Sequence, residues 1–477
     1  MNARQFHELT SHTPYSVRSS GHTLDWDIKP FPFKVYTDRP AVELPREFAP
    51  LAPGPLTLER LAALLYFTAG VTKKKVYGSG VEVLFRAAPS TGALYQTEVY
   101  IAAGDVEGLR PGLYHFCPGD FTLRRLRDDD VRGVLARAAA DESLESRAAV
   151  VALTAIYWRN TWKYQTRGFR HLFWDSGTML ANLLATGDAL ALEPRVLTGF
   201  VDDDVNHVLG LDDEREAALE LVALGPRGTA AAPLRLDAIA LETMPLSSAE
   251  VDYPELREML AMSRLASAAD VRAWRSAHAA DPAPSAAQGL VLPHAASARG
   301  LAETIQRRGS TRRFSGEPIT AEQLGTALWA ATRPIAADVP SGLVRLFLIV
   351  NAVDGVAPGA YEYRHEALAL IRPGDFRDKA AHLCLDQTFV GAAAAVIFFL
   401  APLDAITGRW GDRGYRLVNL EAGIAGGRAY LAAYSGGFGA SGLTFYDQHV
   451  VEFFAPASRG LDAIFVTALG RSAILAT

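Results

Sequence analysis

Arg86-Ala87-Ala88-Pro89-Ser90-Thr91-Gly92-Ala93-Leu94-Tyr95 is followed at once by the alternating run Gln96-Thr97-Glu98-Val99-Tyr100-Ile101-Ala102-Ala103. The pair reads as a tight turn delivered onto a strand. Pro89 fixes φ, Ser90 and Thr91 supply hydroxyls, and Gly92 allows backbone N–H groups to come close to a ligand. The β-branched and aromatic residues beyond it are strand formers. Such a turn suits a flat or anionic ligand, although Pro-Ser-Thr-Gly segments in general only reverse the chain.

Outward from that stretch, the composition narrows the choices. A chain of 477 residues is long enough for two domains. A formal net charge of −6 without a long basic run argues against nucleic acid or an anionic membrane surface as the main partner. Cys117 and Cys384 are the two cysteines, too few for a disulfide framework, so a reducing cytoplasm is the expected compartment. The residues after Met1 show no apolar signal segment, and Ala392–Pro402 is too short for a membrane span and reads as a buried strand. The 11 histidines show no metal-ligand spacing, so no metal is expected.

In chain order, residues 1–45 are polar and aromatic without periodicity, which predicts an extended arm. Thr57 before Leu58, Leu61, Leu64 and Leu65 predicts an N-capped amphipathic helix. Lys73–Lys75 reads as a solvated turn, and Val106–Phe116 as a turn feeding a strand. A second set of elements then repeats the first. Pro318–Trp329 matches Pro55–Tyr66, Val353–Tyr363 matches Val106–Phe116, and Arg413-Gly414-Tyr415-Arg416 matches Arg167-Gly168-Phe169-Arg170 at nearly constant separation. So long a period is a domain duplication, which commonly imitates a homodimer within one chain. The expected architecture is α+β: an arm at 1–45, a first domain at 46–230, a helical linker region at 231–297 and a second domain at 298–477. The boundary is expected in the Ala- and Pro-rich stretch Ala280–Gln288. Helices near 171–185 and 417–433 are apolar nearly all round, which suits the middle of a large core or a domain interface such as the pseudo-two-fold one.

The second copy opens on Arg308-Gly309-Ser310-Thr311-Arg312, with cation, hydroxyl and cation at alternate positions. In an extended segment these three converge on one anion, while the alternative is a solvated basic strand. Together with the Pro-Ser-Thr-Gly-Ala-Leu-Tyr turn, this segment resembles the FMN-dependent nitroreductase superfamily. More narrowly, the chain is similar to the SagB/ThcOx-type dehydrogenases of ribosomal peptide biosynthesis. The resemblance extends to His12–Trp26, the Gly-Leu-Tyr turn, the Arg-Gly-Phe/Tyr-Arg pair and the long helix after it.

The resemblance implies two tandem nitroreductase-like domains forming an intramolecular pseudo-dimer, with FMN as cofactor. In that superfamily two subunits share each flavin. The first copy keeps the turn and lacks Arg-x-Ser-x-Arg; the second keeps Arg308, Ser310 and Arg312 but reads Val339-Pro340-Ser341-Gly342-Leu343 at the turn. One complete FMN site per chain is therefore expected. Arg308, Ser310, Arg312 and Arg471 would hold the phosphate and pyrimidine edge, Pro89, Ser90, Thr91, Gly92 and Leu94 would line the opposite side, and Gly442 and Leu443 would lie along the ring.

Trp162-Lys163-Tyr164 resembles the Leu-Lys-Tyr motif of azoline-oxidising dehydrogenases, with Trp162 departing from the family's Leu. Lys163 is the expected base and Tyr164 its orienting or relaying partner; the matching place in the second copy, Trp410-Gly411-Asp412, has neither. Without the family context these two would be a surface lysine beside a half-buried tyrosine. The implied function is oxidation of a heterocycle or C–N bond, azoline to azole, in a peptide or peptide-derived natural product, with oxygen reoxidising the flavin. A NAD(P)H-dependent reductase of nitro, quinone or enone substrates is the alternative, and a flavin-free scaffold binding a peptide or partner enzyme is a third reading. The substrate pocket is expected from loops near Lys73–Val81 and Asp404–Asp412 and from the amino-terminal arm.

Overall fold

A computed structural model describes residues 1–76, 78, 80, 82–277 and 289–473. The boundary stretch expected at Ala280–Gln288 lies outside the described residues, as do Tyr77, Ser79 and Val81. By its internal contacts the chain forms two compact units, one of Leu24–His278 with Ile335–Ser341, the other of Asn2–Thr23, Ala279–Pro334 and Gly342–Thr477.

The first unit is built on a seven-stranded antiparallel sheet. Its spatial order is Ala41–Glu43, Thr122–Arg127, Gly112–Cys117, Thr97–Ala103, Arg147–Ile156, Glu216–Arg227 and Arg195–Leu197. The run beyond the opening turn is thus a central strand, and all seven of its residues are buried. The helix Leu58–Ala69 begins where the leucine spacing places it, and the Thr57 side chain accepts from the Arg60 N–H. Gly168–Ala189 is the long helix of this unit, buried along nearly its whole length, Arg170 and Asp175 included.

The second unit contains a seven-stranded antiparallel sheet in the order Leu290–Val291, Ala367–Pro373, Gly359–Arg364, Arg345–Val350, Ala395–Ala401, Asp462–Gly470 and Gly439–Gly442. Ranked by sequence, the seven strands stand in each sheet in the same succession: first, fourth, third, second, fifth, seventh, sixth. The apolar stretch near 392–402 is the strand Ala395–Ala401, and the long helix is Arg413–Ser435. Among the described residues no helix is long and apolar enough to cross a membrane.

Three local expectations change. Residues 1–45 are not uniformly extended: helices form at Ala3–Leu9 and Pro14–Ser19, each started by a capping box at Asn2 or Thr13. Lys73–Lys75 is not a turn but part of the strand Val71–Val76, which pairs with Glu82–Arg86 and sets Lys74 against Glu82 at 2.5 Å. Asp404–Asp412 is largely the helix Leu403–Trp410. Such short elements are decided by caps and partners, which periodicity over a few residues does not reveal.

Candidate active site

In the first unit the Pro-Ser-Thr-Gly turn is held from behind by one carboxylate. Asp175, buried in the long helix, accepts from Ser90 Oγ at 2.6 Å, from the Thr91 N–H at 2.7 Å, from Thr91 Oγ1 at 2.7 Å and from Gln96 Nε2 at 2.8 Å. Thr178, on the same helix, donates to the Pro89 carbonyl at 2.7 Å. Burial pushes the Asp175 carboxyl up, and the four donors pull it down. The Ser90 and Thr91 hydroxyls, expected to serve a ligand, are therefore committed to the helix, and what they fix is the shape of the turn. Leu94 likewise packs inward, against Trp158 and Trp162.

Gly92 has φ of +65°, which L side chains rarely adopt, and a Cβ there would stand 2.9 Å from the Tyr164 hydroxyl. Only glycine lets the turn and this tyrosine come so close. Tyr164 ends the helix Tyr157–Tyr164, packs edge-on against His171 at 4.5 Å between ring centroids, and carries Lys163 Nζ 5.4 Å from its own ring centroid. Lys163 and Tyr164 are both half-buried.

The helix bearing them is pinned by buried polar groups. Arg159 pairs with Glu98 and donates to the Tyr95 carbonyl at 3.1 Å; Asn160 donates to Gln96 Oε1 at 3.3 Å and lies 2.8 Å from His171 Nδ1. Burial alone would raise Glu98, but Arg159 and His115 outweigh it and hold the acid down to about 2. Trp162, which departs from the expected motif, donates to the Asp25 carbonyl at 2.7 Å and packs edge-on with Trp26. The other flank of the helix, with Tyr157, Trp158 and Thr161, lines a cavity of about 250 Å³ together with Val251, Tyr253 and Leu256.

In the second unit the Arg308–Arg312 segment lies along the strand Gly439–Gly442. The Thr311 N–H donates to the Ala440 carbonyl at 2.9 Å, and a Cβ on Gly439 would come 2.0 Å from Thr311 Oγ1. Ser310 and Arg312 are exposed on the far side of that contact, as alternation requires, and Arg312 Nη1 donates to Ser441 Oγ at 3.3 Å. Arg308 breaks the pattern: it is the C-cap of the helix Leu301–Arg307 and is 5% exposed. Tyr430 reaches both Ser310 Oγ, at 3.3 Å, and the Gly442 N–H. Leu443 follows, its N–H donating to Val466 at 3.3 Å. Ser310, Arg312 and Gly442 are thus gathered at the strand Gly439–Gly442, whereas Arg308 Nη1 donates to the Gly309 carbonyl at 3.3 Å and Arg471 turns its Nε to the Pro318 carbonyl at 2.8 Å. Glu421, on the long helix of this unit, accepts the N–H groups of Gly342 and Val344, much as Asp175 holds its own turn.

Sequence reasoning missed Asp175, Glu421 and Tyr430. The available signal was an acidic residue inside each of two otherwise apolar helices, at matching places in the repeat.

The nitroreductase family model matches residues 305–471. A protein of Methanocaldococcus jannaschii that bears the nitroreductase name is 30% identical over 172 residues, 36% of this chain and 81% of that protein. The microcin B17-processing protein McbC of Escherichia coli is 27% identical over 140 residues, 28% of this chain and 52% of McbC, so the chain spans about half the length of that relative. A crystal structure of a nitroreductase-type protein from Anabaena variabilis superposes with a TM-score of 0.80 at 28% identity, covering 98% of this chain and 99% of that one. The match to McbC agrees with the SagB-like resemblance read from the motifs. With the fold, the turn and the basic segment in place, the chain belongs to the nitroreductase family.

Proposed function

We propose that the chain is an FMN-dependent dehydrogenase that oxidises a heterocycle or C–N bond, azoline to azole, in a peptide or peptide-derived natural product. The observation that carries this reading is the approach of Tyr164 to Gly92, which joins the Lys163-Tyr164 pair to the Pro-Ser-Thr-Gly turn within one unit. The two units are read as tandem copies arranged as a pseudo-dimer, with one complete flavin site per chain. Their common strand order supports the duplication. The domain limits proposed are those of the sequence: 1–45, 46–230, 231–297 and 298–477.

A hydroxyl and a cation held at a glycine-containing strand, with Arg308 two residues before the serine, suit a phosphate monoester, so the residues present fit FMN. Bound FMN would supply the hydride acceptor. Arg308, Ser310 and Arg312 hold its phosphate in this reading, with Arg471, just after the strand Asp462–Gly470, a further cation. Pro89, Ser90, Thr91, Gly92 and Leu94 shape the turn on the other side, and Gly442 and Leu443 offer backbone along the ring. Lys163 removes a proton from the substrate carbon in this reading, and Tyr164 positions the lysine. Oxygen is the terminal acceptor. The substrate in this reading is a peptide or a small molecule, met in the cytoplasm with or without a partner enzyme of the same biosynthetic step.

The test is turnover of an azoline-containing peptide by wild-type protein and by Lys163→Ala, with bound flavin read from visible absorbance. The variant should keep FMN and lose about 10²- to 10⁴-fold in rate. Equal turnover would refute the role of Lys163. The nitroreductase name borne by the Methanocaldococcus relative keeps a NAD(P)H-dependent reductase as the second reading. Rapid reduction of the bound flavin by NADPH in stopped flow would favour it.

A further inference from the structure

We infer that Tyr430 orients Ser310 as a hydrogen-bond donor toward a phosphate-type anion, and so sets the affinity of the Arg308–Arg312 segment for FMN. This deepens the flavin reading above and rests on it.

Tyr430 lies on the helix Arg413–Ser435 and is 2% exposed. Its hydroxyl oxygen meets two groups, the Gly442 N–H and Ser310 Oγ. A backbone N–H can only donate, so the tyrosine oxygen is the acceptor in the first contact. The phenolic proton then needs an acceptor of its own, because a buried polar hydrogen left unpaired costs about 1–3 kcal/mol. Among the described residues the acceptor in reach is Ser310 Oγ, at 3.3 Å. Were Ser310 the donor instead, Tyr430 would accept twice and its proton would find no acceptor among the described residues.

The direction of the chain is thereby set: Gly442 N–H to Tyr430, Tyr430 O–H to Ser310, and the Ser310 O–H turned outward. Ser310 is exposed and stands between Arg308 and Arg312 in sequence, where a donated hydroxyl proton adds to two positive charges. A chain of donors polarised in one sense strengthens its last member. Tyr430 is accordingly a positioning residue that acts through Ser310, and its target is the phosphate and not the ring system.

The experiment measures dissociation constants of FMN and of riboflavin, which lacks the phosphate, by fluorescence quenching on the full chain. Wild type is compared with Tyr430→Phe, Ser310→Ala, the double variant and Arg308→Ala. Tyr430→Phe should weaken FMN about 5- to 10-fold, the size of one hydrogen bond, and leave riboflavin unchanged. On the Ser310→Ala background the same change should alter FMN less than about twofold, because the relay has lost its end. The inference is overturned if Tyr430→Phe leaves FMN binding intact, or weakens FMN and riboflavin equally, while Arg308→Ala weakens FMN. If Arg308→Ala binds FMN as wild type does, the phosphate site itself is misassigned and both readings fall.

Discussion

Glu421 makes a prediction about pH that can be worked through from the structure. Its carboxylate is buried in the helix Arg413–Ser435 and accepts from the Gly342 N–H at 3.1 and 3.0 Å and from the Val344 N–H at 3.0 Å. Burial opposes the charge more than these N–H groups and Arg428 favour it, and the acid is pushed from its ordinary 4.5 up to about 7. A carboxyl with a higher value folded than unfolded binds its proton more tightly in the folded state. Its contribution is fully present below about pH 4.5 and is lost as pH rises to about 7. At about 1.4 kcal/mol per pH unit, the gap amounts to about 3 kcal/mol.

Glu421→Gln removes the titration while keeping one carbonyl oxygen for the two N–H groups. The variant should be the less stable protein near pH 5 and should equal or exceed wild type at pH 8. Urea unfolding followed by circular dichroism at the two pH values reads this directly. Other carboxylates titrate alike in both proteins and cancel in the difference. With about 2–3 kcal/mol per molar of urea, the difference between the two midpoints should move by about 1 M across that range. A midpoint difference that stays constant from pH 5 to pH 8 would refute the argument, since it would mean that Glu421 titrates in the folded protein as it does in the unfolded chain.

Two further outcomes follow from single positions. Gly92→Ala places a side chain at φ +65° and 2.9 Å from the Tyr164 hydroxyl, and should cost about 1–3 kcal/mol, a fall of several degrees in thermal midpoint; adding Tyr164→Phe should recover part of it. Asp338→Ala removes an acid that accepts from the Thr198 N–H and hydroxyl and the Gly199 N–H, each at 2.9 Å, and pairs with Arg275 at 3.0 Å. Leaving those donors buried should cost about 3–5 kcal/mol, with Asp338→Asn clearly milder, as read by chemical denaturation.

Sequence determined what depends on neighbours along the chain. Thr57 ahead of four spaced leucines starts a helix wherever that segment folds, because the cap and the apolar stripe are both local. Gly92 marks a left-handed turn, since few other residues take that backbone. The repeated Gly-Tyr turns and long apolar helices fall in equivalent strands and core helices of two sheets with one strand order. Family membership was legible for the same reason, being carried by short contiguous motifs.

Tertiary structure decided what joins residues distant in the chain. Ser90 and Thr91 look like ligand hydroxyls until Asp175, far along the sequence, claims them. The lysines at 73–75 become a strand only because residues 82–86 pair with them. Tyr430 is one more aromatic in a buried helix until Gly442 and Ser310 meet at its hydroxyl. A buried donor or acceptor must find its partner wherever the fold brings one, so periodicity can say that a residue goes inside, and only the packed structure says what it holds there.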